Sequence, residues 1–259
     1  MAITLRSPRE IDLMRKAGRV VADVLSQLEK IAQPGVNTAQ LDSLAKQIAA
    51  EAGAEDLFYG VKVSASQRPF PGAICASINE QVVHGIPSVS AVLREGDILS
   101  IDYGARLGGF CADAAITVGV GKISELNCRL LQATKTALDI AIAEARPNVR
   151  WSLIAGKMQQ FVESAGFSVV KDLVGHGIGQ QMHEEPQVPN YVSRELLDND
   201  FFLAEGMALA VEPMVNVGTA AIRSLKDGWT VVTKDGKCSA HFEHTIVITK
   251  AGCEVLTAR

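Results

Sequence analysis

Asp102, Asp113, His176, Glu212 and Glu243 are four carboxylates and one imidazole, each set in an apolar or glycine-rich run. No Lys or Arg stands next to any of the four acids. An ionised carboxylate withdrawn from water costs several kcal/mol unless it is paired or bound to metal, so the series asks for a cation. An oxygen-rich ligand set with one histidine suits divalent Mn, Fe, Co or Zn.

The local settings carry the argument further. In Asp97–Gly104 alternate strand residues share a face, which puts Asp102 with Ser100 and Ile98. Asp113 lies on the strand returning after Leu107-Gly108-Gly109. A short turn can bring both carboxylates to one spot, a geometry suited to two metal ions bridged by carboxylate and water. Taken alone, the segment reads equally well as a solvated hairpin with two surface acids. His176 lies in Gly175-His176-Gly177-Ile178-Gly179, where close approach to a ligand or positive φ explains the glycines. His183-Glu184-Glu185-Pro186 follows, but Gln187 occupies the place where a zincin helix needs its second histidine, and the glycine run lacks the Lys-Ser/Thr tail of a phosphate loop. The chain has no G-x-S-x-G nucleophile elbow. Glu212 is the lone charge in Met207–Val215, and Glu243 lies in His241–Ile248. An edge-strand glutamate reaching solvent explains either one singly and both poorly.

The elements that must position these residues can be read from periodicity and punctuation. Ser7-Pro8-Arg9-Glu10 has the form of a capping box with proline at the first helical position, and the apolar spacing after it predicts a helix to Gln33, stopped by Pro34-Gly35. A second helix is predicted over Thr38–Ala52, with Gly53 as its cap. Strand-like runs follow at 74–78, 82–83, 98–103 and 110–118, the last two forming a hairpin. Helices over Ser124–Glu144 and Ser152–Ala165 come next, then further strands. Helices, strands, helices, strands, with no linker between, predict an α+β chain of two similar halves in one domain, 1–259.

Composition narrows the function. The chain has 259 residues, 47% hydrophobic and 21% charged, with a net charge of −4, which fits a globular protein and argues against nucleic acid or an anionic membrane as partner. No apolar run approaches the roughly 18 residues of a membrane span, and no secretory signal opens the chain, so the cytoplasm is the expected location. Cys75, Cys111, Cys128, Cys238 and Cys253 are scattered and form no C-x-x-C pair, which predicts reduced thiols rather than a disulfide framework.

Taken in order, Asn79-Glu80 to His84-Gly85-Ile86-Pro87, the Asp102/Asp113 pair, the glycine loop with His183-Glu184-Glu185-Pro186, Val211-Glu212-Pro213-Met214 and Phe242-Glu243-His244-Thr245 resemble the type I methionine aminopeptidases of the pita-bread metallopeptidase family. The likeness covers nearly the whole chain. It implies pseudo-two-fold halves around a central curved antiparallel sheet covered by helices, and removal of the initiator methionine from nascent chains with a small second residue, at the ribosome and by a monomer. It also implies a two-metal centre of Asp102, Asp113, His176, Glu212 and Glu243, with Asp113 and Glu243 bridging and the metal (Co, Mn, Fe(II) or Zn) unspecified. Two cations acidify a shared water and polarise the carbonyl it attacks. Glu212 is implied as proton shuttle, His183 as donor to the developing oxyanion, and His84 as contact to the peptide nitrogen, with plain support of the ligands as the alternative for both histidines. Phe70, Cys75, Met182 and Trp229 are implied to line the methionine pocket, a slot whose aromatic and thioether lining suits an unbranched thioether. His241 and His244 are assigned structural roles.

Two departures bear on this picture. Many bacterial relatives carry His-Gly-Tyr-Pro where this chain has Arg68-Pro69-Phe70-Pro71, and many have His-Gly-Asp where it has Cys111-Ala112-Asp113. The first puts a cation and a proline at the pocket rim. The second puts a thiol on the strand face of Asp113, either near enough to the metals to make activity oxidant-sensitive or buried and inert. The rival functions are a Xaa-Pro peptidase of the same fold, whose relatives usually carry a further N-terminal domain, and a non-catalytic binding module, whose relatives usually lack several ligands. The interval from His183 to Glu212 is too short for the helical insert of type II enzymes. Met1-Ala2 has the small second residue of the family's substrates, which predicts self-processing.

Overall fold

The computed structural model describes residues 3–62 and 68–258; Met1-Ala2, on which the self-processing expectation rests, lies outside them. Helix α1 (Pro8–Ile31) begins as its sequence requires. Ser7 accepts the Glu10 N–H, and the Glu10 carboxylate accepts the Ser7 N–H, which satisfies two free amides of the first turn. Its apolar face, including Met14, Ala17, Val21, Val24 and Leu28, is buried. The helix ends at Ile31, short of the expected Gln33, because Pro34 disfavours helical backbone at the residue before it. Helix α2 (Thr38–Glu51) carries a second capping box, between Asn37 and Gln40.

Strands β1 (Glu55–Asp56), β2 (Cys75–Ile78) and β3 (Gln81–Val83) lead to the long hairpin β4 (Ile98–Leu107) and β5 (Phe110–Gly119). Its turn is Gly108-Gly109, with φ +61° and +83°, the left-handed pair that matches strand twist in a two-residue hairpin. The first hairpin strand runs four residues past the expected Tyr103, to Leu107. Pairing is sustained because Gly104 lies opposite Asp113, and a Cβ at Gly104 would come within 3.2 Å of Asp113 Oδ1 and of Phe58. Helices α3 (Glu125–Glu144) and α4 (Trp151–Ser164) follow, then β6 (Ser168–Val169), β7 (Gly175–Gly177), β8 (Glu184–Val188), a short α5 (Arg194–Asp198), β9 (Ala208–Val211), β10 (Met214–Asn216), β11 (Ile222–Ser224), β12 (Val231–Thr233), β13 (Ser239–His241), β14 (Glu243–Ile248) and β15 (Cys253–Val255). Helix α5, capped by Ser193, is too short to leave a periodic signal and escaped the sequence reading.

The main sheet is antiparallel, in the order β1-β4-β5-β14-β9-β7-β8, with β2 added to β4 and β15 to β14. Helices α1 and α2 pack on its first half through Val21, Leu25, Leu41, Ile101, Tyr103 and Ala114. Helices α3 and α4 close a second core with Ile154, Met158, Leu209, Val215 and Ile246. Each half thus has its own helix pair and core, and the β5–β14 seam joins them.

Candidate metal centre and adjoining pocket

Strand pairing fixes where the five candidate ligands lie. Asp102 is opposite Ala115, and Ala115 is opposite Glu243, so one row crosses β4, β5 and β14. Thr245 is opposite Ala210, and Ala210 is opposite His176. Residues directly opposite, and residues two apart on one strand, share a face. Asp102, Asp113, His176 and Glu243 therefore project from one face, and Glu212, two residues beyond Ala210, joins them. Both central positions are alanine, at 1% and 0% exposure, which leaves space above the sheet for the acids. The Thr245 hydroxyl accepts from the Asp113 N–H at 2.9 Å and donates to the Asp113 carbonyl at 2.8 Å, tying the two halves at the seam.

The chemistry of this cluster asks for a cation. Buried Asp102 Oδ1, Asp113 Oδ1 and Glu243 Oε1 have no hydrogen-bond partner. Ligand atoms of Asp113, His176 and Glu243 lie within 4.8 Å of one another. Burial raises Asp113 to about 7. Burial, then the negative charge of neighbouring acids, pushes Asp102, Glu212 and Glu243 well above the carboxylate range. His176 Nδ1 donates to the Gly177 carbonyl at 2.8 Å, which leaves Nε2 with its lone pair directed at the cluster, 3.7 Å from Glu212 Oε1. Burial, then nearby His183, lowers His176 to about 4, so the ring is neutral, as a metal ligand must be. Oxygen donors, a neutral imidazole and orphaned buried oxygens fit a divalent metal.

His84 and His183 border the same space. The His183 ring meets His176 edge-on at 4.4 Å, and burial lowers its pKa, which favours the neutral ring. His84 holds φ +59°, a strained conformation for a side chain other than glycine and one that clusters at functional sites. It is followed by Gly85, where a Cβ would collide with the Ala76 carbonyl. Burial, then the nearby His183 ring, which opposes a second positive charge, lowers His84 to about 4.

The cavity over this face holds about 170 Å³, and its walls include Asp102, Asp113, Glu243, His84, Phe70, Cys75, Met182 and Trp229. That is well under the roughly 300 Å³ at which pockets begin to take drug-sized ligands, and it suits a single side chain. Phe70 and Trp229 meet edge to face at 5.2 Å, and Trp229 Nε1 donates to the Arg68 carbonyl at 2.9 Å. The rim position of Arg68 is thus tied to the pocket wall through its backbone carbonyl. Phe58 and Val61 complete the lining. They lie in the loop after β1, where no periodicity marks them, and sequence reading missed both.

His241, assigned a structural role from sequence, lies 2% exposed with Nε2 3.9 Å from Glu212 Oε2 and from Glu243 Oε2. Both its ring nitrogens lack partners. Its backbone is clipped to the Thr117 hydroxyl, which accepts from the His241 N–H at 2.9 Å. The spacing His241-Phe242-Glu243 held the signal, because residues two apart along extended backbone turn to the same side. His244 faces the other way and bonds Thr257 Oγ1 at 2.8 Å. Cys111 shares the face of Asp113 but is fully buried among Met14, Phe110, Ile178 and Leu256, where burial raises its thiol pKa. It is absent from the cavity wall.

Residues 12–250 match the model of metallopeptidase family M24. Methionine aminopeptidase 1 of Bacillus subtilis (strain 168) is 46% identical over 255 residues, 98% of this chain and 99% of that protein. The crystal structure of methionine aminopeptidase from Thermotoga maritima is 40% identical, covers 100% of both chains and superposes with a TM-score of 0.94. The prolidase from Pyrococcus furiosus, at 19% identity, covers 98% of this chain but 65% of its own and superposes at 0.77, which shows a common fold alone.

Proposed function

The chain belongs to metallopeptidase family M24 and has the family's pita-bread fold, and on that premise we propose that it is a methionine aminopeptidase, removing the N-terminal methionine of chains with a small second residue. The observation that carries this reading is the union of two features in one cavity: buried carboxylate oxygens that ask for divalent metal, and beside them an apolar and aromatic wall, in a space that suits one side chain.

In this proposal Asp102, Asp113, His176, Glu212 and Glu243 would hold the divalent metal. When bound, the metal supplies Lewis acidity and an acidified water. Glu212, whose carboxyl is raised by burial, carries a proton from water to the departing amine. His183 donates its N–H to the carbonyl oxygen as negative charge develops there, a contact worth roughly 3 kcal/mol when preorganised. His84 holds the nitrogen of the scissile peptide. Phe58, Phe70, Cys75, Met182 and Trp229 receive the methionine thioether. We further propose that residues 1–259 work as one domain and as a monomer in the cytoplasm, on nascent chains at the ribosome. No helix among the described residues is long and apolar enough to cross a membrane.

Purified protein supplied with Co, Mn or Fe(II) is expected to release methionine from Met-Ala-Ser and Met-Pro-containing peptides and nothing from Ala-Pro peptides. Cleavage of Ala-Pro would point to a Xaa-Pro peptidase. Absence of turnover with every metal would point to a binding module.

A further inference from the structure

Arg6 is a buried cation outside the metal-binding face, its side chain 5% exposed. Its N–H donates to the Gly206 carbonyl at 2.7 Å, and Leu5 bridges to Met207, so the segment before α1 is fastened along the approach to β9. The guanidinium passes against the glycine loop that carries His176. A Cβ at Gly179 would collide with it, which accounts for the third glycine of that loop. At its tip, Nη2 donates to Glu184 Oε2, on the residue after His183. The other Glu184 oxygen accepts the Gln181 N–H at 3.0 Å. The Gly179 N–H donates to the Gln181 carbonyl at 3.0 Å, and the Gly179 carbonyl accepts from the Cys111 N–H at 2.7 Å. His183 is thus enclosed in a turn whose carboxylate is gripped by a residue far away in sequence. Loss of one partner from such a buried pair leaves the other charge uncompensated.

We propose that Arg6 is a positioning residue for His183: its guanidinium holds the 179–184 turn through Glu184 and Gly179, and so aims the His183 N–H at the substrate carbonyl. This rests on the donor role proposed for His183. A group held loosely by about 1 Å loses on the order of 10²-fold in rate, and the loss falls on the chemical step rather than on substrate binding.

The test is a double-mutant cycle on the metal-loaded enzyme, with Arg6→Met and Glu184→Gln each alone and combined with His183→Ala, together with hydrogen exchange of the 179–184 amides. Arg6→Met is expected to lower kcat by about tenfold or more with little change in KM, to lose nothing further beside His183→Ala, and to speed exchange in that turn. Equal losses in both backgrounds, or unchanged exchange in the turn, would overturn the proposal. Should Arg6→Met fail to fold, Glu184→Gln, which keeps the side-chain shape, takes its place in the cycle with the same expected outcome. Full activity of His183→Ala would overturn the donor role itself, and with it the catalytic half of the proposal. A large loss in His183→Ala combined with additivity would overturn the Arg6 proposal alone.

Discussion

The metal-binding face and the apolar slot share one cavity, yet they are assembled by different means. The face is a product of strand register: Asp102, Asp113, His176 and Glu243 are placed by pairing across β4, β5, β14, β9 and β7, with alanines between them. The slot is mainly a product of loops, since Phe58, Val61, Phe70, Met182 and Trp229 lie outside strands, and Cys75 alone among its apolar residues belongs to one. Register cannot shift by one residue without turning every acid to the other side. Loop walls can be rebuilt one side chain at a time. Reaction chemistry is therefore tied to the fold as a whole, and substrate fit to local choices.

The sharpest way to break this division is Glu212→Gln, which keeps shape and removes the proposed proton carrier. Loss of about 10³-fold in kcat is expected in steady-state assays, and retained activity would move the shuttle elsewhere. Next in size is a pH effect on the chelator-treated protein. Asp113 is raised to about 7, with Asp102, Glu212 and Glu243 also raised, so between pH 4 and 7 the folded state binds more protons than the unfolded. Their contribution is complete below the ordinary carboxylate pKa and is lost as pH rises through the folded values. Thermal unfolding should therefore show Tm falling from pH 5 to 7, and added Mn should reverse the fall; a flat profile would mean that the acids carry no such strain. In the slot, Trp229→Phe removes the hydrogen bond to Arg68 and part of one wall. KM for a methionyl peptide should rise about tenfold with kcat nearly kept, whereas an equal fall in kcat would show that slot and face are not separable. Smallest of all, Cys111→Ser should leave peroxide sensitivity unchanged, because the thiol is fully buried and its pKa is raised.

The same division decides what was legible in the sequence. Period-two alternation and a glycine pair at the turn foretell which residues of the hairpin share a face, so Asp102 and Asp113 could be joined before any coordinates. Glu212 and Glu243 stood out as lone charges in apolar strands. Phe58 and Val61 did not, because a loop has no period and its side chains are aimed by contacts far away in the chain. Phe70, Cys75, Met182 and Trp229 could be assembled only through a family resemblance. His241 had the right spacing to Glu243 but a residue type that sequence alone leaves ambiguous. Arg6 carried no signal, since its partner Glu184 is remote and paired charges look alike whether buried or exposed.

Strand β14 lies between β5 and β9, and it brings Glu243 with it. A ribosome delivers Asp102 and Asp113 early and this strand late, so the unfinished chain has two sheet fragments and an incomplete acid set. Seam and last ligand arrive in one event. The acid set is therefore complete only when the two halves are locked together.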